Sequence, residues 1–459
     1  MITPYAPMAS DLAGLKDYVD GSEPWFRERI TTLVEHPTVS PGKEDDQAIL
    51  AGAAAARDIM AEAGATAELV ASGGTPAVFG HFKHPDPKAR VVVYNHLDVQ
   101  PADADQWIQS DPFKLEVHPH PEREFLYRGR GSTDDKGPGL CALRAASFVA
   151  AAGLPIDVGI LWETEEEIGS PNFGNVVDAK AKELSCDAVI VSDTIWPSDT
   201  QPAISIGLRG SLQAVLRLRT AGKHSHSGLV GGAARNPIRE LCKVASAIHD
   251  ATFWREDAPQ PSPAELDGFM RSGFDLDYFK RAHELTKLES DVPLEVMLAI
   301  WARPTFEVHG LVGGHMGPGV KTVVPAHAEL KSSFRLLPGQ DPVAIGRRLQ
   351  DFVAAINPDV EVEIAGYLAP YRGPDSGRVH EAIRTGLRAA TGKDPVTVRE
   401  GGSIGAVPIL AEKLGVAVHF LPLSLPDHGY HAPNEYFDWR QAKVGIEAWI
   451  RAFAALAAG

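Results

Sequence analysis

The sequence has few cysteines, no long apolar run and a deficit of basic residues. Its three cysteines, Cys141, Cys186 and Cys242, lie far apart and form no Cys-x-x-Cys motif, which favours a reduced, intracellular protein over a disulfide-bonded one. No apolar stretch approaches the ~18–20 residues needed to cross a bilayer. Residues 1–20 lack a basic start followed by a hydrophobic run, so we expect no signal peptide. We therefore predict a cytoplasmic protein.

Charge and composition narrow the classes of partner. Lys and Arg number 44 against 60 Asp and Glu, which gives a formal net charge of −16. Such a surface repels phosphate backbones and anionic lipid headgroups, so we expect neither a nucleic acid nor a membrane as partner. Hydrophobic residues at 44% and charged residues at 23% exclude a disordered or collagenous chain. The 459 residues suffice for more than one domain.

The first half of the chain alternates between short apolar runs and helical patterns. Residues 46–64 and 140–152 have helical spacing, whereas Arg90–Tyr94, Val158–Glu163 and Cys186–Val191 are compact apolar runs typical of buried parallel strands. This alternation predicts the fold class α/β, with a mostly parallel sheet flanked by helices.

The pattern changes near Gly207 and returns to α/β near Asp375. Between these points the order β-α-β-β-α-β, with an irregular insertion over residues 252–300, predicts an inserted two-layer α+β domain. We therefore predict a discontinuous catalytic domain (1–208 and 374–459) and an inserted lid or dimerisation domain (209–373).

Acidic residues and histidines follow the predicted parallel strands, where the ligands of α/β sheets collect. His96 and Asp98 come after Arg90–Tyr94, and their spacing lets one bind a metal while the other supports it. A turn with solvated polar residues is the alternative. Asp193 ends the strand Cys186–Val191, where an ordinary turn aspartate is equally admissible.

Three further segments carry candidate ligands. The glycine-rich loop Gly129–Gly137 contains adjacent carboxylates, Asp134 and Asp135, which suit a cation bridge but also a helix N-cap. A phosphate-binding loop is a further alternative, but these carboxylates would repel a phosphate and the Walker spacing is absent. The run 165–167 holds three glutamates, usual for a solvated helix start but costly at the end of a buried strand without a cation. His431 lies in a loop where a surface role is the common one.

Together these residues predict a pair of divalent cations. Five ligands with carboxylates in the majority, one of them bridging, are what two ions about 3.5–4 Å apart require. Zinc fits, and manganese or cobalt is admissible because oxygen ligands dominate. The predicted ligands are His96, Asp134, Glu167, Asp193 and His431.

These motifs resemble those of the co-catalytic metallopeptidases, which include carnosinases and other dipeptidases, succinyl-diaminopimelate desuccinylase, acetylornithine deacetylase and aminoacylase. They occur in that family's order and extend over nearly the whole chain. The matching segments are His96–Asp98, Gly129–Gly137, Glu163–Ser170, Ser192–Asp193 and Tyr430–Glu435.

The resemblance implies a role for each residue. His96 and Asp193 would bind opposite metals bridged by Asp134, and the peptide between Asp134 and Asp135 would be cis. Glu167 and His431 would complete the two ligand sets. Asp98 would orient His96, and Glu166 would be the general base.

The inserted domain resembles the dipeptidase branch more than the deacylases. The segments that carry this likeness are Gly207–Gly210, Ser225–Gly228, Gly231–Gly232, Lys321–Pro325, Phe334–Leu336 and Arg399–Ile404. In such enzymes the lid pairs two subunits, so His226 would reach across a homodimer to polarise the scissile carbonyl, with Thr322 beside it. Arg335, Gly402 and Ser403 would hold the substrate carboxylate. Residues 251–299 carry no motif that aligns.

The predicted reaction is hydrolysis of a dipeptide by a metal-activated water, with Glu166 as the proton acceptor. Deacylation of an N-acyl amino acid at the same metal site is the alternative within the hydrolases. A non-catalytic binding protein on the same fold is the alternative from another class. The expected binding partners are a small peptide substrate and a second copy of the chain, paired through the lid domain.

Overall fold

A six-stranded sheet forms the centre of the fold. The computed structural model describes Leu12, residues 14–42 and residues 46–459. Four strands of this central sheet are mutually parallel, and an antiparallel hairpin completes one edge. The strand order is Thr66–Val70, Ala77–Phe82, Ile156–Glu163, Ala89–His96, Ala188–Val191, Val418–Phe420. The predicted mostly parallel α/β sheet is confirmed.

Both faces of the central sheet are covered by helices. Successive residues of a strand point to opposite faces of the sheet, so alternate residues pack against different helices. Val91 and Val93 pack into one apolar cluster, and Val92 and Tyr94 into the other. The helices of the chain that precede or follow residues 207–373 are Leu15–Asp20, Glu23–Val34, Asp46–Glu62, Gly137–Ala151, Phe173–Ala179, Arg378–Thr391, Ala406–Leu414 and Trp439–Ala458. The parallel strands are thus buried on both sides, as their continuous apolar runs predict.

A second, antiparallel sheet of four strands is built entirely from residues 210–368. Its order is Thr305–Gly313, His327–Leu336, Gly210–Arg219, Glu361–Leu368. Helices Pro237–Asp250 and Pro342–Ile356 bury one face of it against a separate apolar cluster that includes Leu216, Ile248 and Leu349. The predicted β-α-β-β-α-β order is present. The domain limits at 208/209 and 373/374 stay a prediction, and residues 1–11, 13 and 43–45 of the first range lie outside the described part.

The insertion was predicted as irregular, and that prediction is wrong. It contains three helices, Pro263–Arg271, Leu276–Ala282 and Pro293–Trp301. Ser262 and Glu265 form a capping box, and Asp275 caps the second helix, so local signals for helix starts are present. Each helix has nine residues or fewer, which is too short for a clear apolar period, and the third is apolar throughout except for Glu295.

Smaller elements complete the description. Short pairings join Glu116–His120 with Glu124–Arg128 and Tyr436–Asp438, and other two-stranded pairs bring distant loops together. The remaining pairs are Ser225–His226 with Val323–Val324, Gly207–Leu208 with Tyr371–Arg372, and Ala203–Ser205 with Val396–Val398. The helical turns are Ala104–Gln106, Ser132–Lys136, Glu166–Ile168, Ser227–Val230 and Pro426–His428. Among the described residues, no helix combines the length and apolar character needed to span a bilayer.

Candidate di-metal centre

Titratable side chains from five separate segments meet at one edge of the central sheet. His96 and Glu163 are the last residues of neighbouring parallel strands, and Asp193 follows the next strand by two residues. Because parallel strands end at the same edge, these side chains share one region. The turn that holds Asp134 and the loop that holds His431 approach the same edge from opposite halves of the sequence.

Asp134 lies between the two histidines. Its Oδ1 is 3.0 Å from Nε2 of His96, and its Oδ2 is 3.0 Å from Nε2 of His431. Nε2 of His431 is also 3.2 Å from Oε2 of Glu167, and Nε2 of His96 is 3.7 Å from Oδ2 of Asp193. All five side chains predicted as ligands are therefore brought together, with the predicted bridging carboxylate in the middle.

Two groups of ligand atoms are compact enough to hold an ion. One comprises His96, Asp135 and Asp193, and the other Asp134, Glu167 and His431, with the atoms of each group within 4.8 Å of one another. Asp135 stands beside Asp134 as a carboxylate suited to a cation bridge but is not one of the five predicted ligands. Its Oδ2 accepts a hydrogen bond of 2.6 Å from Asn95, whereas Oδ1 is buried with no hydrogen-bond partner among the described residues. The Asp134–Asp135 peptide bond is cis, as the resemblance implied.

The electrostatics of this edge fit bound cations. Burial raises the pKa of Asp135 and Glu166 well above the usual range, and raises that of Asp193 to about 7. Burial opposes ionisation of Asp134 too, but hydrogen bonds from His431 and His96 bring its pKa below the usual value. Carboxylates crowded in a low-dielectric site resist ionisation unless positive charge offsets them. Two divalent cations supply such charge, and imidazole with carboxylate is a donor set they accept.

Asp98 supports the site in a more specific way than the sequence suggested. Nδ1 of His96 is 2.9 Å from the backbone oxygen of Asp98 and 3.6 Å from its carboxylate. The Asp98 carboxylate accepts hydrogen bonds from the amides of Glu166 and Glu167, and from the hydroxyl of Ser40. It therefore holds the predicted base and a predicted ligand in place at once.

Glu435, which received no role from the sequence, fixes the loop that carries Asp134. Its side chain is fully buried and forms an ion pair of 2.8 Å with Arg130. Its two oxygens also accept the amides of Gly131, Thr133 and Asp134 at 2.9–3.1 Å. An acid four residues after a loop histidine is the only sequence signal for this function.

A cavity of about 450 Å³ opens beside the centre. It is lined by Glu166, Glu167 and His431 on one side and by Arg335 and Ser403 on the other. Nη1 of Arg335 donates a hydrogen bond of 2.9 Å to the Ser403 hydroxyl. Gly402 precedes Ser403 but does not line the cavity, and its amide donates to Oε1 of Glu400 at 3.4 Å. Of the three residues predicted to hold the substrate carboxylate, Arg335 and Ser403 therefore border the cavity.

His226 and Thr322 are brought to each other but not to this cavity within the one chain. His226 pairs with Val323 in a short antiparallel bridge, and the Ser227 amide donates to the Thr322 oxygen at 2.9 Å. Both residues are exposed and neither lines the cavity. The Nδ1 atom of His226 accepts a hydrogen bond of 2.9 Å from the Gly228 amide.

Comparison with known proteins identifies a matching protein family and several relatives. Residues 92–455 match the family described as peptidase family M20/M25/M40. The chain is 26% identical to human Beta-Ala-His dipeptidase over 95% of its own length and 90% of that protein. It is 29% identical to the Cys-Gly metallodipeptidase DUG1 of Candida albicans, covering 93% of each chain.

Solved structures share the fold. The dipeptidase Dug1p of Saccharomyces cerevisiae superposes with a TM-score of 0.87 at 24% identity, covering 98% of this chain and 100% of the other. Human carnosine dipeptidase 1 gives a TM-score of 0.82 at 24% identity, with 97% and 99% covered. At this identity the similarity shows a common fold, with the central and four-stranded sheets both included.

Proposed function

The chain belongs to peptidase family M20/M25/M40, and from this membership we propose that it is a metal-dependent dipeptidase. Its relatives over the full length are named as Beta-Ala-His and Cys-Gly dipeptidases. The observation that carries the proposal is the position of Asp134 between His96 and His431, beside a cavity that ends at Arg335. The substrate is a short peptide with a free carboxylate.

Two divalent cations would be held by His96, Asp193, Glu167 and His431, with Asp134 shared between them. We propose zinc as the metal, with manganese or cobalt as admissible replacements, because the donor set mixes imidazole and carboxylate. When bound, such ions lower the pKa of water and polarise a carbonyl group. Asp98 and Glu435 position these ligands through the hydrogen bonds described above.

Glu166 accepts the proton of the attacking water and returns it to the leaving amine. The residue lines the cavity, and Asp98 fixes its backbone amide at 3.1 Å. A general base must lie within reach of the reacting water, and half-buried Glu166 on the wall of the cavity is positioned for this role.

Arg335 and Ser403 bind the carboxylate of the substrate at the far side of the cavity. A guanidinium held against a hydroxyl offers several donors in fixed directions, which suits a planar carboxylate. The same contact explains why a free C-terminus would be required. Gly402 contributes to this loop through its backbone.

We also propose that a homodimer completes the site. His226 and Thr322 are exposed and do not line the cavity of their own chain, so His226 of the partner subunit would polarise the scissile carbonyl. The cytoplasm is the proposed location, since Cys141, Cys186 and Cys242 are all free thiols.

The decisive experiment compares wild type with Glu166→Gln on a panel of dipeptides and N-acetyl amino acids after loading with zinc. Wild type should cleave dipeptides, and a chelator should abolish this activity. Glu166→Gln should retain two metal ions per chain by elemental analysis and lose activity by several orders of magnitude. Wild-type turnover in Glu166→Gln, or cleavage of N-acetyl amino acids alone, would contradict the proposal.

Subunit complementation tests the contribution of His226 across the dimer. Glu166→Gln and His226→Ala should each be inactive alone. Exchange of subunits in an equal mixture should restore about a quarter of wild-type activity, because about half of the dimers are mixed and one of the two sites in each mixed dimer contains both groups. If mixing restores nothing while light scattering shows mixed dimers, His226 does not act on the other subunit.

A further inference from the structure

A second cavity, of about 420 Å³, lies between the loop after Asp193 and the second and third helices of residues 263–301. Its surface is apolar and partly aromatic. The side chains that matter here are Ile195, Phe274, Phe279, Leu285, Ile300 and Trp301. We call this the aromatic pocket. Its size lies within the ~300–1,000 Å³ of small-molecule sites.

The loop that follows the predicted ligand Asp193 connects the metal centre to the aromatic pocket. Ile195 follows Asp193 by two residues, and its amide donates to Oε2 of Glu400 at 3.2 Å. Glu400 and Gly401 also line the aromatic pocket, while Ser403, two residues further, lines the cavity that contains Arg335. The short segment 400–403 therefore separates the two cavities.

Each cavity faces a different half of the predicted ligand set. Glu167 and His431 line the cavity with Arg335, whereas the loop from Asp193 to Ile195 leads into the aromatic pocket. A dipeptide that bound Arg335 through its carboxylate and extended across the metal centre would place its amino-terminal residue on the side of Asp193 and the aromatic pocket. The carboxylates of Asp193 and Glu400 suit the positive charge of a free amino group on this side.

The pocket is firmly attached to the catalytic part of the chain. Arg209 donates to the backbone oxygens of Gly401 at 2.8 Å and Ala299 at 3.2 Å, which ties the third helix to the segment 400–403. Tyr278 donates to Asp427 at 2.7 Å and so fastens the second helix to the loop that leads to His431.

The first helix is fastened in the same way. Glu265 on this helix accepts a buried hydrogen bond of 2.8 Å from Arg399, the residue before Glu400. All three helices are thus hydrogen-bonded to residues that precede or adjoin the segments of Ser403 and His431, and the second and third of them line the aromatic pocket.

We propose that the aromatic pocket receives the side chain of the substrate's amino-terminal residue and selects large apolar residues there. The inference rests on the proposed dipeptidase function and adds the substrate class. Phe274 contacts two other rings, with centroid distances of 5.4 Å to Phe279 in a tilted arrangement and 6.1 Å to Trp301 in an edge-on one. Such a cluster offers apolar surface to an inserted ring or branched side chain.

The kinetic test compares Phe-Gly and Leu-Gly with Gly-Gly, and Gly-Phe with Gly-Gly, on the zinc-loaded enzyme. Burial of a large apolar side chain predicts a kcat/KM about 10- to 100-fold higher for Phe-Gly than for Gly-Gly. Leu285→Trp narrows the pocket and should lower this ratio at least tenfold. Met270→Trp, an exposed apolar position of the same segment outside the pocket lining, is the matched control and should leave the ratio unchanged.

A binding measurement separates this inference from the reaction itself. Phenylalaninamide should bind the zinc-loaded protein at least tenfold more tightly than glycinamide in calorimetry, and Leu285→Trp should remove the difference. If this preference holds while no dipeptide is cleaved, the pocket stands and the dipeptidase proposal falls. If dipeptides are cleaved but neither the kcat/KM ratio nor amide binding favours the phenylalanine side chain, the pocket proposal is overturned.

Discussion

Replacement of Glu435 by glutamine should destabilise the protein far more than its small change in shape suggests. The Glu435 carboxylate is inaccessible to solvent and accepts from four donors. Oε2 accepts from Arg130 and the Gly131 amide, and Oε1 accepts from the amides of Thr133 and Asp134. Every lone-pair direction of the side chain is therefore directed at a donor.

A glutamine cannot satisfy this set, because one of its two terminal atoms is itself a donor. If its oxygen faces Thr133 and Asp134, its amide group meets the Gly131 amide and the Arg130 guanidinium. If the terminal amide group of the glutamine is rotated by 180°, the backbone amides of Thr133 and Asp134 lose their acceptor. Either orientation leaves two buried donors unpaired and a buried arginine without its counter-charge.

The expected magnitude follows from these losses. Breaking a buried ion pair by removing one partner costs ~3–5 kcal/mol, and each buried donor without a partner costs ~1–3 kcal/mol. The two effects overlap because they act on one loop, so their sum is an upper bound. We expect Glu435→Gln to lower the free energy of unfolding by about 4 kcal/mol.

The measurement is urea unfolding of the metal-free protein, followed by tryptophan fluorescence. Glu447→Gln is the matched control: Glu447 pairs with Arg451 at 2.7 Å, but both side chains are about a quarter exposed. That helical pair should be worth less than ~0.5 kcal/mol. If Glu435→Gln unfolds within ~1 kcal/mol of wild type, the Glu435 contacts do not hold the Asp134 loop as argued.

Three further predictions follow from other contacts. Removal of metal by a chelator should lower the unfolding temperature, because the buried carboxylates at the sheet edge lose their counter-charge. Addition of zinc, manganese or cobalt should restore it. An unchanged unfolding temperature would contradict a metal centre. Arg335→Met should raise KM at least tenfold for a dipeptide but little for its C-terminal amide, and equal effects on both would exclude carboxylate binding. Glu265 is buried, which raises its pKa, but hydrogen bonds from Arg399, the Ser262 amide and Arg372 hold that pKa at about 2. Its stabilising effect is therefore complete above its unfolded-state pKa of about 4.3 and disappears as the pH falls toward 2. Glu265→Gln should flatten the acid loss of stability between pH 5 and pH 2, and parallel wild-type and variant curves would refute this.

The central sheet was predictable because its strands are buried on both faces. A strand with helices on both sides must be apolar throughout, so Val158–Glu163 and Arg90–Tyr94 are visible as compact runs without any tertiary information. The observed strands, Ile156–Glu163 and Ala89–His96, extend these runs by at most two residues at either end. The strand Gly210–Arg219 was equally visible from its alternation, since only one of its faces is fully buried.

The helices of residues 263–301 were not predictable in the same way. They bury few residues, and their small apolar cluster of Phe269, Met297, Trp301 and Ala302 joins helices that are separated in sequence. A cluster assembled from distant positions leaves no local period. The aromatic pocket follows from this arrangement, and no segment of the sequence indicates it alone.

Sequence order and residue type by themselves determined which side chains could bind metal, because the ends of parallel strands must share one edge of a sheet. They indicated His96, Asp134, Glu167, Asp193 and His431. Only the tertiary structure decided which atoms meet, what surrounds them and which groups hold them. The buried donors that converge on Glu435 and the pocket beside Glu400 depend on contacts between residues up to about 300 positions apart. Such contacts are fixed by packing in three dimensions, and the local pattern of the chain carries no record of them.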